Sequence, residues 1–184
     1  MKIKKTPIPG LLIIEPGVFK DDRGYFFESY NQSRYNEAGI KARFIQDNES
    51  KSVRGVVRGL HYQLNPFAQA KLVRVVVGTV YDVALDLRKN SPSFGQYFGI
   101  ELSESNKRQL FIPGGLAHGF SVLSETAIFS YKCDNNYNRE SERAINAFDP
   151  KLKIDWQLKL SECIVSEKDQ HAPLFEEAEM NFNF

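Results

Sequence analysis

The stretch KLVRVVVGTVYDVALDL, Lys71 to Leu87, reads as two apolar runs with partial period-two alternation, separated by a Gly78–Thr79 turn. In the first run Lys71, Val73, Val75 and Val77 share one parity, and hence one face of an extended strand. If that face lines an interior, a lysine is carried toward a pocket along with the valines. Outward from this segment the same texture repeats. A second set of runs extends from Arg108 to Cys133, interrupted by IPGGLAHG and by Ser124–Glu125. There His118, Phe120 and Val122 share a parity, as do Phe129 and Tyr131 in the run that follows. Short strands between glycine-rich turns predict an all-β protein, a β-sandwich or a small jelly-roll barrel whose interior could hold a ligand. Only NQSRYNEAG, residues 31–39, and PLFEEAE, residues 173–179, read as short helices.

The chain has 184 residues, with no linker, repeat or low-complexity tract, so one domain over residues 1–184 is expected. Lys plus Arg is 24 against 23 for Asp plus Glu, a net charge of +1 that creates no global field for nucleic acid or an anionic membrane. Recognition of a phosphate must therefore be local. Pro9, Glu15 and Pro16 break the first apolar run, and no later run approaches the roughly 18 residues of a membrane span. The expected location is the cytoplasm. Cys133 and Cys163 stand far apart without paired spacing, which suits reduced thiols.

Three histidines can be weighed singly. His61, in VVRGLHYQ, is either a half-buried imidazole satisfied by a carboxylate or a general base, since its reference pKa of about 6.5 allows proton exchange at neutral pH. Asp169, in SEKD, is a candidate to orient it. Arg58 and His61 have opposite parity, so both face one pocket only if Gly59 permits a bulge or the strand ends there. His118 follows a PGG turn and either fixes a loop or serves a ligand; His171, near Asp169 in a polar terminal region, reads as structural. No HxH, HExxH or His/Cys cluster suggests a metal. Tyr131, with a reference pKa near 10, suits a proton donor better than a base. Lys71 could neutralise an oxyanion, and Arg23, Arg58 and Lys168 could hold phosphate oxygens. Neither GxGxxG nor GxxxxGK[ST] occurs.

Taken together, DDRGYFFES, QDNES, VVRGLHYQ, AQAKLVRVVVGTVYDVALDLRKNSPSFGQ, NKRQLFIPGGLAHGF and SEKD closely resemble the dTDP-4-dehydrorhamnose 3,5-epimerase family of deoxysugar biosynthesis. The resemblance runs from about residue 3 to residue 176, with the blocks in the family's order. It implies a jelly roll of the cupin type, a double-stranded β-helix with short flanking helices, a homodimer, and an isomerase that needs no metal or organic cofactor. The implied reaction epimerises C3 and C5 of dTDP-4-dehydro-6-deoxy-α-D-glucose to dTDP-4-dehydro-β-L-rhamnose. By the matching blocks, His61 resembles the base, Asp169 the group orienting it, Tyr131 the acid on the opposite face, and Lys71 the lysine near the C4 oxygen. Arg23, Glu28, Gln46, Asn48, Arg58, His118, Glu142 and Lys168 resemble positions that contact the nucleotide sugar, and Tyr137 is available to stack or hydrogen-bond near the nucleotide. The Arg23 region of such dimers often completes the neighbour's pocket.

Some positions depart from the family's pattern. Asn65, Val77 and Gln157 replace a common proline, arginine and proline, while Asn136 stands where an aromatic is common beside Tyr137 and Arg143 follows the expected glutamate. The competing readings are a C3-only or C5-only epimerase of a dTDP-4-keto sugar and a noncatalytic nucleotide-sugar sensor.

Overall fold

The computed structural model describes residues 1–184. Along the chain the strands are β1 (Lys2–Lys5), β2 (Leu12–Glu15), β3 (Phe19–Asp21), β4 (Gly24–Phe26), β5 (Gln46–Val53), β6 (Val57–Gln63), β7 (Lys71–Val77), β8 (Thr79–Asp86), β9 (Tyr97–Ser103), β10 (Gln109–Ile112), β11 (Leu116–Val122), β12 (Thr126–Cys133) and β13 (Glu142–Ala144). Two short helices, α1 (Gln32–Glu37) and α2 (Glu167–Gln170), flank them. One sheet runs β1-β2-β10-β7-β12-β5 and the other β13-β6-β11-β8-β9, while β3 and β4 form a separate two-stranded ribbon. From β5 to β12 the chain passes repeatedly between the two sheets, staying in one only for the β8–β9 pair. This alternation makes a jelly roll. No helix is long and apolar enough to cross a membrane.

The alternating parity of the central runs supplies the core between the sheets. Val73 and Val75 of β7 and Phe129 of β12 meet Val80 and Ala84 of β8 and Phe120 and Val122 of β11. Phe129 is buried and stacks on Phe120 with ring centroids 4.3 Å apart. Burying a side chain of that kind stabilises by about 1.5–3 kcal/mol. Val77, on the same parity as Val73, has emerged from the core at its strand's end and is exposed. The Gly78 turn does not close a hairpin: it hands the chain from the six-stranded sheet to the five-stranded one. Gly78 has φ +81°, which glycine adopts without strain, and a Cβ there would collide with the Thr126 carbonyl.

The outer face of the five-stranded sheet is covered by the C-terminal segment. Trp156, Phe175 and Phe182 pack with Ile145 and Ala147 on Val83, Leu85 and Leu87, and Trp156 Nε1 donates to the Ala147 carbonyl at 2.7 Å. That wrapping returns α2 to the edge of β6. Ser166 caps α2 by accepting from the Asp169 amide, which fixes Asp169 with its side chain turned inward to the sheet.

Of the two expected helices, the first forms as α1, capped by Asn31, whose side chain accepts from the Arg34 amide at 3.2 Å. The second does not form. Residues 175–177 make a turn, because the Phe175 amide donates to Asp149 Oδ2 at 2.7 Å and the Pro173 carbonyl accepts from the Asn146 amide. Those tertiary bonds, with the buried Phe175 ring, outweigh the helical preference of the Glu-Glu-Ala run. The helix in this part of the chain lies earlier, at EKDQ, Glu167–Gln170.

Candidate active site

A cavity opens between the two sheets, lined by Arg58, His61, Gln63, His118 and Phe120 from one and by Ser50, Lys71, Phe129 and Tyr131 from the other. Gln69, Tyr137 and Glu142 add to its wall from the adjoining segments. The presence of both Arg58 and His61 has a backbone cause. His118 pairs with His61 but Phe120 pairs with Arg58, so Gly59 and Leu60 stand opposite Gly119 alone and form a bulge. Gly59 has φ +123°, and a Cβ on it would lie 2.6 Å from the Gly119 Cα. The bulge breaks the strict alternation of β6 and turns two residues of opposite parity to one side.

His61 Nε2 lies 2.7 Å from Asp169 Oδ1, while Asp169 Oδ2 accepts the Gly59 amide at 3.4 Å. Burial pushes the Asp169 carboxyl up, but the hydrogen bond and charge of His61, aided by Gly59 and Ser166, prevail and hold it below the usual carboxylate range. An ionised Asp169 assigns the imidazole proton to Nε2 and leaves Nδ1 as the lone-pair nitrogen. Deeper in the sheet His118 Nε2 meets Asp82 Oδ2 at 2.9 Å. Asp82 is fully buried and burial raises its pKa, against the influence of His118 and Lys71.

Across the cavity, the Lys71 ammonium sits 5.9 Å from the centroid of the Tyr131 ring. Burial draws the Lys71 pKa below the ordinary lysine range, opposed by Cys133, Asp82 and Glu142. Burial and Cys133 raise that of Tyr131, so the phenol keeps its proton at neutral pH. Cys133 is itself a buried thiol pushed up to about 11, chiefly by burial, with Lys71 acting against it. At the rim, Glu142 Oε2 accepts from Tyr137 at 3.0 Å and from Lys168 Nζ at 2.6 Å. Those two bonds outweigh burial and hold the Glu142 pKa down.

The remaining residues picked from the sequence lie further out. Gln46 and Asn48 occupy β5 beside Cys133 and Tyr131, with Gln46 Nε2 donating to Asn48 Oδ1 at 3.0 Å. Arg23 lies on the β3–β4 ribbon, paired with Asp21 at 2.6 Å, and Glu28 bonds Arg34 and Asn31; neither lines this chain's own cavity. Sequence reasoning passed over Ser50, Gln63, Gln69 and Asp82, polar residues without a motif of their own; Asp82 could have been found by its parity beside the valine run. Neither Asn136 nor Arg143 lines the cavity. Asn136 contributes its backbone carbonyl, and Arg143 turns away to Glu179 at 2.7 Å. No three His, Cys, Asp or Glu side chains converge as metal ligands would.

Imidazole and phenol on opposing sheets of one jelly roll, with an ammonium beside the phenol, define a proton-transferring enzyme of the cupin class. The dTDP-4-dehydrorhamnose 3,5-epimerase family model matches residues 5–177. The dTDP-4-dehydrorhamnose 3,5-epimerase of Shigella flexneri is 53% identical over 180 residues, 97% of this chain and 98% of that one. Among solved structures, the dTDP-4-dehydrorhamnose 3,5-epimerase of Elizabethkingia anophelis is similar with a TM-score of 0.92 at 55% identity, covering 96% of this chain and 97% of the other. The dTDP-6-deoxy-D-glucose-3,5-epimerase of Legionella pneumophila, solved in complex with dTDP-4-keto-L-rhamnose, has a TM-score of 0.92 at 51% identity, covering 96% and 93%. The chain belongs to the dTDP-4-dehydrorhamnose 3,5-epimerase family, and is an isomerase.

Proposed function

We propose that the enzyme inverts C3 and C5 of dTDP-4-dehydro-6-deoxy-α-D-glucose, giving dTDP-4-dehydro-β-L-rhamnose, with His61 and Tyr131 as its base and acid. The observation that carries this reading is their placement on opposite walls of one cavity. Inversion needs a proton removed from one face of a carbon and returned to the other. The C4 ketone makes the hydrogens on C3 and C5 acidic, because either carbanion delocalises onto the C4 oxygen as an enolate. The ketone is thus the electron sink, and the reaction as proposed calls for no cofactor.

His61 Nδ1 takes the proton, while Asp169 holds Nε2–H and stabilises the imidazolium that forms. Lys71 faces the developing oxyanion at C4. Its desolvated ammonium is worth more there than in water, and removing such a donor typically costs about 2.7–4 kcal/mol. Tyr131 returns a proton to C5 from the opposite side, and water or Tyr131 serves C3. Arg58 and Lys168 meet the diphosphate, Tyr137 lies against the base, and His118, Gln46, Asn48 and Glu142 complete the contacts to the nucleotide sugar.

The active unit is a homodimer. The β3–β4 ribbon presents Phe19 at 70%, Tyr25 at 55% and Phe26 at 70% exposure, an apolar surface that a second copy would cover. Placed against the neighbour, this ribbon carries Arg23, followed by Glu28, toward the other cavity. Turnover in deuterated water tests the chemistry: solvent deuterium must enter at both carbons.

A further inference from the structure

The loop that carries Tyr137 is held almost entirely by side-chain amides. Gln63, 5% exposed at the end of β6, donates from Nε2 to the Phe67 carbonyl at 2.7 Å and to the Asn136 carbonyl at 3.2 Å. Its Oε1 accepts the Asn138 amide at 2.6 Å. One buried side chain therefore grips the main chain on both sides of Tyr137. Gln69 Nε2 adds a bond to the Asn135 carbonyl at 2.7 Å, and Gln46 Oε1 accepts the Tyr137 amide itself at 3.1 Å. The Tyr137 ring, by contrast, is 55% exposed and is tied only through its hydroxyl to Glu142. A ring with so little packing of its own takes its position from the backbone beneath it.

We propose that Gln63 is a positioning residue that fixes the Tyr137 loop as a preformed wall of the nucleotide subsite, setting affinity for the dTDP part of the substrate and not the rate of proton transfer. This rests on the reading above that Tyr137 lies against the base. Gln63 is suited to the task because it offers two donors and an acceptor in one plane, matching two carbonyls and one amide. The grip is on main-chain atoms, so it does not depend on the side chain at position 136. Holding the loop before the ligand arrives spares the ordering cost on binding.

The test is a double-mutant cycle on the full-length enzyme, read by dTDP binding in a calorimeter and by steady-state kinetics. Gln63→Met removes all three bonds at nearly constant length. It is expected to weaken dTDP about tenfold and raise KM similarly, because two of the three bonds hold the Tyr137 loop, with kcat and its pH profile unmoved. In a Tyr137→Ala background the same change is expected to cost less than about twofold, because the wall it positions is gone. A drop in kcat, a shifted pH profile, or full additivity with Tyr137→Ala would overturn the proposal. Weaker dTDP binding by Tyr137→Ala but not by Gln63→Met overturns it alone. Unchanged binding by Tyr137→Ala overturns both it and the placement of the ring. Gln69→Leu loosens the loop from its other side and leaves β6 intact. If Gln63→Met does not fold, Gln69→Leu decides by the same cycle: a KM effect that vanishes without Tyr137 supports the mechanism, and any other result overturns it.

Discussion

Asp169 Oδ1 lies 2.7 Å from His61 Nε2, and Asp169 is only 4% exposed where His61 opens onto the cavity. On the proposed mechanism the carboxylate, shielded by burial, acts through the ring. Asp169→Asn keeps the shape but presents either an amide N–H or a weaker acceptor to Nε2, favouring the wrong tautomer. We expect kcat to fall by about 10²–10⁴-fold with the dTDP affinity retained. Steady-state kinetics beside calorimetry would show it; a loss below about fivefold would place the base elsewhere.

Lys71 is expected to act on both carbons alike, since both enolates share the C4 oxygen. Lys71→Met should slow exchange at C3 and at C5 by about 10²–10³-fold. Burial lowers the lysine's pKa, so its ammonium is lost at a pH below the ordinary value of about 10.4. Activity should accordingly decline on the alkaline side before that pH, and Lys71→Arg should move the decline upward. A pH–rate profile unchanged in Lys71→Arg would detach the lysine from the reaction.

The fold rests on a second buried carboxylate far less exposed to chemistry. Asp86 Oδ2 accepts from Arg88, Ser91 and Ser93 at 2.8, 2.6 and 2.7 Å, and Oδ1 accepts from Arg88 Nε at 2.8 Å. Burial raises the Asp86 pKa, but these bonds outweigh it and leave the group below its usual value. A depressed folded pKa contributes stability that is fully present above the unfolded value of about 3.9 and is lost as pH falls through the folded one. Asp86→Asn should destabilise by about 3–5 kcal/mol at neutral pH. In urea titrations the gap from the parent should stay constant from pH 7 to about pH 5 and narrow only below about pH 4. A gap independent of pH throughout would contradict the ionised pairing.

Arg23 and His61 should complement between subunits. Refolding a mixture of Arg23→Glu and His61→Ala chains yields hybrid dimers; if Arg23 serves the neighbour's pocket, each hybrid holds one site with both lesions and one intact site. Activity should therefore reappear in a mixture of two nearly inactive variants, reaching about a quarter of parent activity for random pairing of equal amounts, in line with symmetric exchange across a two-fold. No recovery, with dimers present by sedimentation, would keep Arg23 in its own chain's site.

How much of this was legible in the sequence varies by residue. The shared parity of Val73 and Val75 does fall on a core face, and so does that of Phe120 and Val122, but parity did not say that these two faces belong to opposite sheets. Parity alone did not bring Arg58 and His61 together; that took the Gly59 bulge, which depends on close approach to Gly119 and so on tertiary packing. The turn at Gly78 was visible, but not its passage between sheets, since one positive-φ glycine serves either path. The PLFEEAE segment misled because its amide and carbonyl partners, Asp149 and Asn146, are remote in sequence. Gln63 and Gln69 carried no signal, because glutamine bonding to main chain leaves no periodicity and no motif. The family's blocks supplied the pairing of His61 with Asp169 across the chain, which no local pattern could.

The most direct test is turnover of dTDP-4-dehydro-6-deoxyglucose by the purified enzyme in deuterated water, followed by NMR and by reduction of the product to fix its configuration. Deuterium at both C3 and C5 with inversion at both is expected, and Tyr131→Phe should still exchange C3 while C5 stays uninverted. Folded parent enzyme that binds dTDP yet exchanges or inverts only one carbon, or neither, would contradict the 3,5-epimerase reading of this site.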